Sequence, residues 1–506
     1  MGERIPIAMR RFLLLFLMPV VCAAQSGDTL QHFTLTAAQA RNDFQLYRRL
    51  LQETHPGLYR YTPKETMQQY LDSVESSFLE PIAFYDYHRV LALVNANIRC
   101  AHSYTFPKGD SWGYMQSIKV LPFFIHPIQG KYIVLFSGTN DASILPGYEL
   151  THINGRSIDS IAVVLKKHFW SDGYNELAKN QVVQGSTFGL YYYMIIERPE
   201  SFRLAFKSAD GQKKNVMVKA QNMQVNEVNY KKNPVNKKIM SLIGKSKPQW
   251  DLLFPKDLQK SAILRIYGFG GKGQNTSDEA RAAMRAFMDK SMKEINKRGV
   301  KNLIVDVRGN RGGWDTQGAE LFTYLMKSDS PVYYYKRLHS ITDSSEFLKY
   351  SDLSDLDRRN AKKELRAEAD GTFSMRKEFN PDLQLQYPKS NRFKGQVYIM
   401  MNYFSASTAS EFVAVCKSNT IGLLVGEESN GCYEGGNGAS FISMTLPNSK
   451  IAVNTPLIYY ENAVVPVAQK GRGTIPDFII QESVDDVFNG RDSVLEWVKE
   501  RIRNSQ

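Results

Sequence analysis

Cysteine is scarce, four residues in 506, and one of the four, Cys22, directly follows the N-terminal apolar run. The other three, Cys100, Cys416 and Cys432, are an odd number and cannot all pair within one chain, which argues against a disulfide-stapled scaffold. They are expected as buried thiols. No stretch reaches 18 consecutive apolar residues, so no membrane-spanning helix is expected. There is no H-E-x-x-H, no C-x-x-C pair and no acidic calcium loop, and hence no metal or organic cofactor is implied. The G-x-S-x-G elbow of lipase-type hydrolases is also missing. Acidic residues are the minority charge, 51 against 64 lysines and arginines, for a net charge of +13. The surplus is not interleaved with aromatics on a recognisable motif, which argues against nucleic-acid binding.

What is present describes a multidomain α+β protein. A hydrophobic content of 43% with 23% charged residues is ordinary for globular chains, and the length suits two or three domains. Arg10 and Arg11 precede the apolar run Phe12 to Val21 and the small residues Cys22, Ala23 and Ala24. That arrangement reads as a secretory signal peptide over residues 1–24, with export to the periplasm or cell surface. Three helical patterns then fill a helical N-terminal domain over 25–110. From 111 to 222 the period changes to two, with hairpin turns at Gln129-Gly130 and Asp210-Gly211, a β-rich module suited to adding a peptide strand to a sheet edge. Residues 223–256 are polar and basic and read as a linker. Strands alternate with helices over 257–506, which predicts a largely parallel sheet. Within that region, 327–391 is a charged, helix-leaning insertion.

The chemistry concentrates at two places in the α/β region. NLIVDVRGNRGG is a buried strand running into a glycine turn, where Gly309, Gly312 and Gly313 allow positive φ and close approach to a ligand. NYFSASTASEF opens a helix with Ser405, Ser407, Thr408 and Ser410. Such hydroxyls serve as caps; a serine there also meets unpaired backbone N–H groups that stabilise an oxyanion.

Four segments in order carry a resemblance to a known family: NLIVDVRGNRGG, then VYIMMNYFSASTASEF, then LLVGEESNG, and finally GTIPD. Together they resemble the C-terminal-processing and tricorn-type serine peptidases, a group that includes interphotoreceptor retinoid-binding modules. The resemblance implies a crotonase/Clp-like α/β catalytic core, a PDZ-like domain at LPGYELTHING, and a serine-type endopeptidase acting on polypeptides. Counting back from Glu411 puts the nucleophile at Thr408 or Ser407; counting forward from Phe404 gives Ser407, which is adopted. Gly312 and Gly313 are the implied oxyanion-hole residues.

The chain departs from the processing-protease branch, because GEESNGCYEGG holds no lysine to act as base. AHSYTFP is similar to the segment carrying the base histidine of tricorn-type members, which implies His102 as general base. The tricorn-type partners of that histidine are missing, since Ala101 and Lys470 stand in their places. Glu427, Glu428, Glu434 and Glu461 are the carboxylates considered for orienting it. The alternative is a non-catalytic exported peptide- or ligand-binding protein on the same fold.

Overall fold

The computed structural model describes residues 29–139, 143–243, 248–271 and 273–505. The signal-peptide reading, over residues 1–24, lies outside the described residues. No helix among the described residues is long and apolar enough to cross a membrane.

The N-terminal helices are Ala37–Thr54, Lys64–Ser76 and Phe84–Ile98. The first begins at a reciprocal capping box between Thr36 and Gln39 and ends at His55, ahead of Pro56-Gly57. The third ends at Arg99, whose left-handed backbone (φ 60) turns the chain out of the helix three residues before His102. Asp43, fully buried on the first helix, accepts from the backbone N–H groups of Asn448 and Ser449. Those residues form the turn of a long hairpin in the C-terminal region, so the helical domain is pinned to it.

In the β-rich module, five antiparallel strands lie in the order 213–219, 201–207, 149–153, 131–137, 123–128. Both hairpin turns fall at Gln129-Gly130 and Asp210-Gly211, and the glycines take φ 78 and φ 88. The linker reading of 223–256 does not describe what these residues form. Met223–Lys232 and Lys237–Ile243 are helices, and Trp250–Leu253 is an edge strand of the core sheet. The first helix is capped by Asn222 and buries only Met223, Asn226 and Tyr230, too few apolar positions to give a helical period.

The C-terminal core is a six-stranded sheet in the order 250–253, 261–266, 302–306, 396–401, 423–426, 478–479. All its pairings are parallel except that of the first, edge strand. Ser277–Lys297 and Thr408–Ser418 pack on one face, where Met284, Met288, Phe412 and Val415 are buried with Val305 and Ile399. Ser493–Arg503 covers the other face through Val494, Val498 and Ile502. This double cover explains why the strands read as continuous apolar runs.

A third sheet completes the site. Its centre is the hairpin Gly435–Thr445 and Ala452–Asn462, extended by Tyr335–Ser340, Phe373–Met375 and Leu365–Ala367. The insertion 327–391 supplies these three strands together with helices, the longest of which, Asp355–Glu364, buries nothing. That helix falls on the charged, helix-leaning stretch, and the chain leaves it at Leu365 to pair with Phe373–Met375 across the turn at Gly371 (φ 79). On the same edge of Ala452–Asn462 as Tyr335–Ser340, at its other end, Tyr104–Phe106 pairs antiparallel with Ala452–Asn454. That short strand follows His102 directly and carries it into the C-terminal region.

Candidate active site

The glycine turn leaves the strand Asn302–Asp306 and is held rigidly. Arg308 is buried in ion pairs with Asp306 at 2.9 Å and Asp492 at 2.7 Å. Asn310 ties the turn to both neighbours, donating from Nδ2 to the Ile266 carbonyl and accepting the Ala406 N–H on its own carbonyl. Gly312 and Gly313 take φ 93 and φ 136, the left-handed region that favours glycine. A Cβ on Gly312 would lie 2.6 Å from Cβ of Ser407, and one on Gly313 would lie 1.3 Å from the Phe269 carbonyl oxygen.

Four hydroxyls crowd the start of the helix Thr408–Ser418, and three are committed to structure. Ser405 donates to the Val307 carbonyl at 2.9 Å. Thr408 lies 2.9 Å from both the Gly313 carbonyl and Oδ1 of Asp315. Ser410 donates to the Gly431 carbonyl and contacts Ser429 Oγ at 3.1 Å. Ser407 differs. Its side chain caps nothing, and its backbone is held at φ 52, ψ −130. A non-glycine residue in that region carries strain, which concentrates at functional sites. Ser407 faces a cleft of about 800 Å³ whose wall also includes His102, Gly313 and Phe441. The structure thus brings Ser407, His102 and the glycine turn to one cleft from three distant parts of the chain.

The two glycine N–H groups have different fates. Gly312 donates its N–H to Asn310 Oδ1 at 2.9 Å. Gly313 pairs as an isolated parallel bridge with Phe269, whose bonds run through Gly312 and Trp314. The peptide groups of Gly313 itself therefore turn the other way, and its carbonyl meets Thr408.

His102 is placed from both sides. Asn454 Nδ2 donates to its carbonyl at 3.0 Å, and its ring lies 5.5 Å from that of Phe441. Its Nδ1 is buried with no hydrogen bond. Burial pushes the imidazole below its ordinary pKa, opposed by the negative charge of Asp172 and by the backbone of Asn437. Asp172 is 4% exposed, and its Oδ1 accepts the N–H of Ala101 at 2.9 Å. Burial raises its carboxyl, against the opposing effects of His102, the Ala101 N–H and Arg60.

Asp172 is the residue that sequence reasoning missed. The four glutamates considered there are engaged elsewhere. Glu428 pairs with Arg472 and accepts the Gly473 N–H, Glu434 accepts the Gly471 N–H, and Glu461 pairs with Lys336. Glu427 lines a separate cavity. The only local signal at Asp172 is the Asp-Gly dipeptide of a turn, with Gly173 at φ 56. Among the described residues, no group of three or more His, Cys, Asp or Glu side chains is placed to hold a metal ion.

A family model described as Peptidase family S41 matches residues 260–480. Mature CPAF is similar over 92% of this chain and 98% of its own, with a TM-score of 0.58 and 16% identity. Its complex with lactacystin gives a TM-score of 0.58 and 14% identity over 93% of this chain and 98% of that one. The photosystem II D1 C-terminal processing protease reaches a TM-score of 0.39 at 12% identity, over 90% of this chain and 98% of its own. The likeness to mature CPAF shows a shared fold across the helical, β-rich and α/β parts together. No curated protein matches the chain by sequence.

Proposed function

Since residues 260–480 belong to peptidase family S41, we propose that the chain is an exported serine endopeptidase that cleaves polypeptides with Ser407 as nucleophile and His102 as general base. One observation carries this reading. Ser407 is the hydroxyl of its helix start left out of the structural hydrogen bonds, held at strained φ, in the cleft that also holds His102.

The chemistry follows from the surroundings. Burial keeps the imidazole neutral near pH 7, able to take the Ser407 proton as the hydroxyl attacks the peptide carbonyl. The imidazolium so formed gains from the buried charge of Asp172, which we assign as its positioning residue. The developing oxyanion is received by the N–H of Gly313, joined by that of Thr408 at the helix start; Gly312 N–H, spent on Asn310, shapes the turn instead. The β-rich module is read as PDZ-like and the core as crotonase-like. Export rests on the signal-like pattern of residues 1–24.

The test is active-site labelling of the folded protein with a fluorophosphonate. Adduct on Ser407, lost in Ser407→Ala, supports the reading. Adduct on Ser405, Thr408 or Ser410 would move the nucleophile, and a folded protein that takes no label would return the chain to the non-catalytic binding alternative.

A further inference from the structure

The net charge of the chain is +13, yet its cleft is acidic. Asp278, Asp315, Asp343, Glu364 and Glu378 all line it, and none has an ion-pair partner among the described residues. Two arginines on the wall are outnumbered by these five carboxylates. Arg281 is committed to Asp382 and Glu320, and Arg311 lies over the Phe404 ring at 5.0 Å. Lining a cleft with one sign of charge between low-dielectric walls focuses the field on whatever enters it.

Asp315 is singled out by its position. It lies two residues beyond Gly313, and its Oδ1 meets the hydroxyl of Thr408, the residue after Ser407. This contact sets the carboxylate against the residue next to the proposed nucleophile, on the wall of the same cleft. Beside it the hydroxyl of Thr316, 3% exposed and lining the same cleft, has no hydrogen-bond partner. A buried hydroxyl without a partner is rare and costs about 1–3 kcal/mol. A donor group on a ligand satisfies it. Burial, with the charge of Asp382 adding, pushes the Asp315 carboxyl up to about 6 while Thr408 opposes. Its ionised form thus lacks a countercharge that an incoming cation supplies.

We propose that the cleft takes cationic polypeptide segments and that Asp315 reads a lysine or arginine side chain next to the scissile bond. The position of the cleaved bond rests on the peptidase reading, and the charge preference does not. Guanidinium and ammonium groups both bring several N–H donors, enough for the Asp315 carboxylate and the Thr316 hydroxyl together.

The test separates the two readings. Full-length Ser407→Ala protein is titrated, by fluorescence anisotropy, with labelled peptides alike except for a central Lys, Arg, norleucine or Glu. Lys and Arg peptides are expected to bind about 10- to 100-fold tighter than norleucine at low salt, with the advantage shrinking as salt rises. Asp315→Asn, which keeps an acceptor for Thr408, should collapse that ratio. In the active protein, cleavage sites mapped by mass spectrometry on an unfolded substrate should cluster beside Lys and Arg. Equal binding of all four peptides, or a ratio that survives Asp315→Asn, overturns the assignment. Cleavage without charge preference would overturn it while leaving the peptidase reading intact. Charge-selective binding by a protein that takes no fluorophosphonate would do the reverse.

Discussion

The N–H of Ala101 donates to Oδ1 of Asp172 at 2.9 Å, which joins the residue before His102 to a buried carboxylate seventy-one positions later in the chain. The same carboxylate raises the proton affinity of the His102 imidazole that burial lowers. Asp172 therefore has both a geometric and an electrostatic hold on the proposed base.

Asp172→Asn is expected to lower kcat by about two to four decades, as loss of an orienting carboxylate does in triad enzymes. The pH profile gives the sharper readout. Activity should rise with pH through an apparent pKa below 6.5, histidine's ordinary value, because burial is the largest effect on His102. Removing the Asp172 charge should move that midpoint further to acid. A midpoint that stays fixed in Asp172→Asn would leave the residue a purely structural part.

Gly312→Ala is expected to slow fluorophosphonate labelling by about two decades while the fold survives. The added methyl would sit 2.6 Å from Cβ of Ser407 and 2.9 Å from the Ala406 carbonyl oxygen, so the serine has to shift. A displacement of about 1 Å at a nucleophile is worth roughly two decades in rate. Circular dichroism checks the fold. Normal labelling at normal rate would show that Gly312 does not set the position of Ser407.

A fragment beginning near Gln249 is expected to misfold rather than persist as an inactive core. The hairpin residues Ile442, Met444, Leu446, Ile451, Val453 and Leu457 are buried in one apolar cluster with the N-terminal helices. Cutting at 249 exposes them and frees the strand edge that Tyr104–Phe106 covers. Solubility and thermal melting decide it. A cooperative melt from the fragment would mean that the hairpin stands without its partner.

Stability should fall as pH rises toward neutrality, because of Glu427. Burial pushes its carboxyl up to about 7, against the opposing effects of the Gln481 side chain and the Arg308 charge. Glu482 is raised well above the ordinary carboxylate range as well, by burial first and then by the charge of Asp492. The folded state then holds a proton between about pH 4.5 and 7 that the unfolded state has released, so stability drops across that window. Glu427→Gln should flatten the drop by about 1–3 kcal/mol, read from urea melts at pH 5 and pH 8. Parallel pH dependences in the two proteins would place the titration elsewhere.

Period and turn chemistry made much of this protein legible from its residues. The three N-terminal helices, both hairpins of the β-rich module and the parallel core were readable because one face of each element is apolar at a fixed spacing. The glycine turn and the serine-opened helix were also visible, since positive φ and helix starts select few residue types. Three things were decided only by tertiary structure. Which hydroxyl stands free depended on partners at Val307, Gly313 and Gly431, none of them near in sequence. The acid beside His102 lay in an unremarkable Asp-Gly turn, because an orienting carboxylate needs a place in space and no particular spacing in the chain. The acidity of the cleft was hidden by a basic composition. Charge along a chain fixes the net field, and only folding decides which carboxylates face one another across an opening.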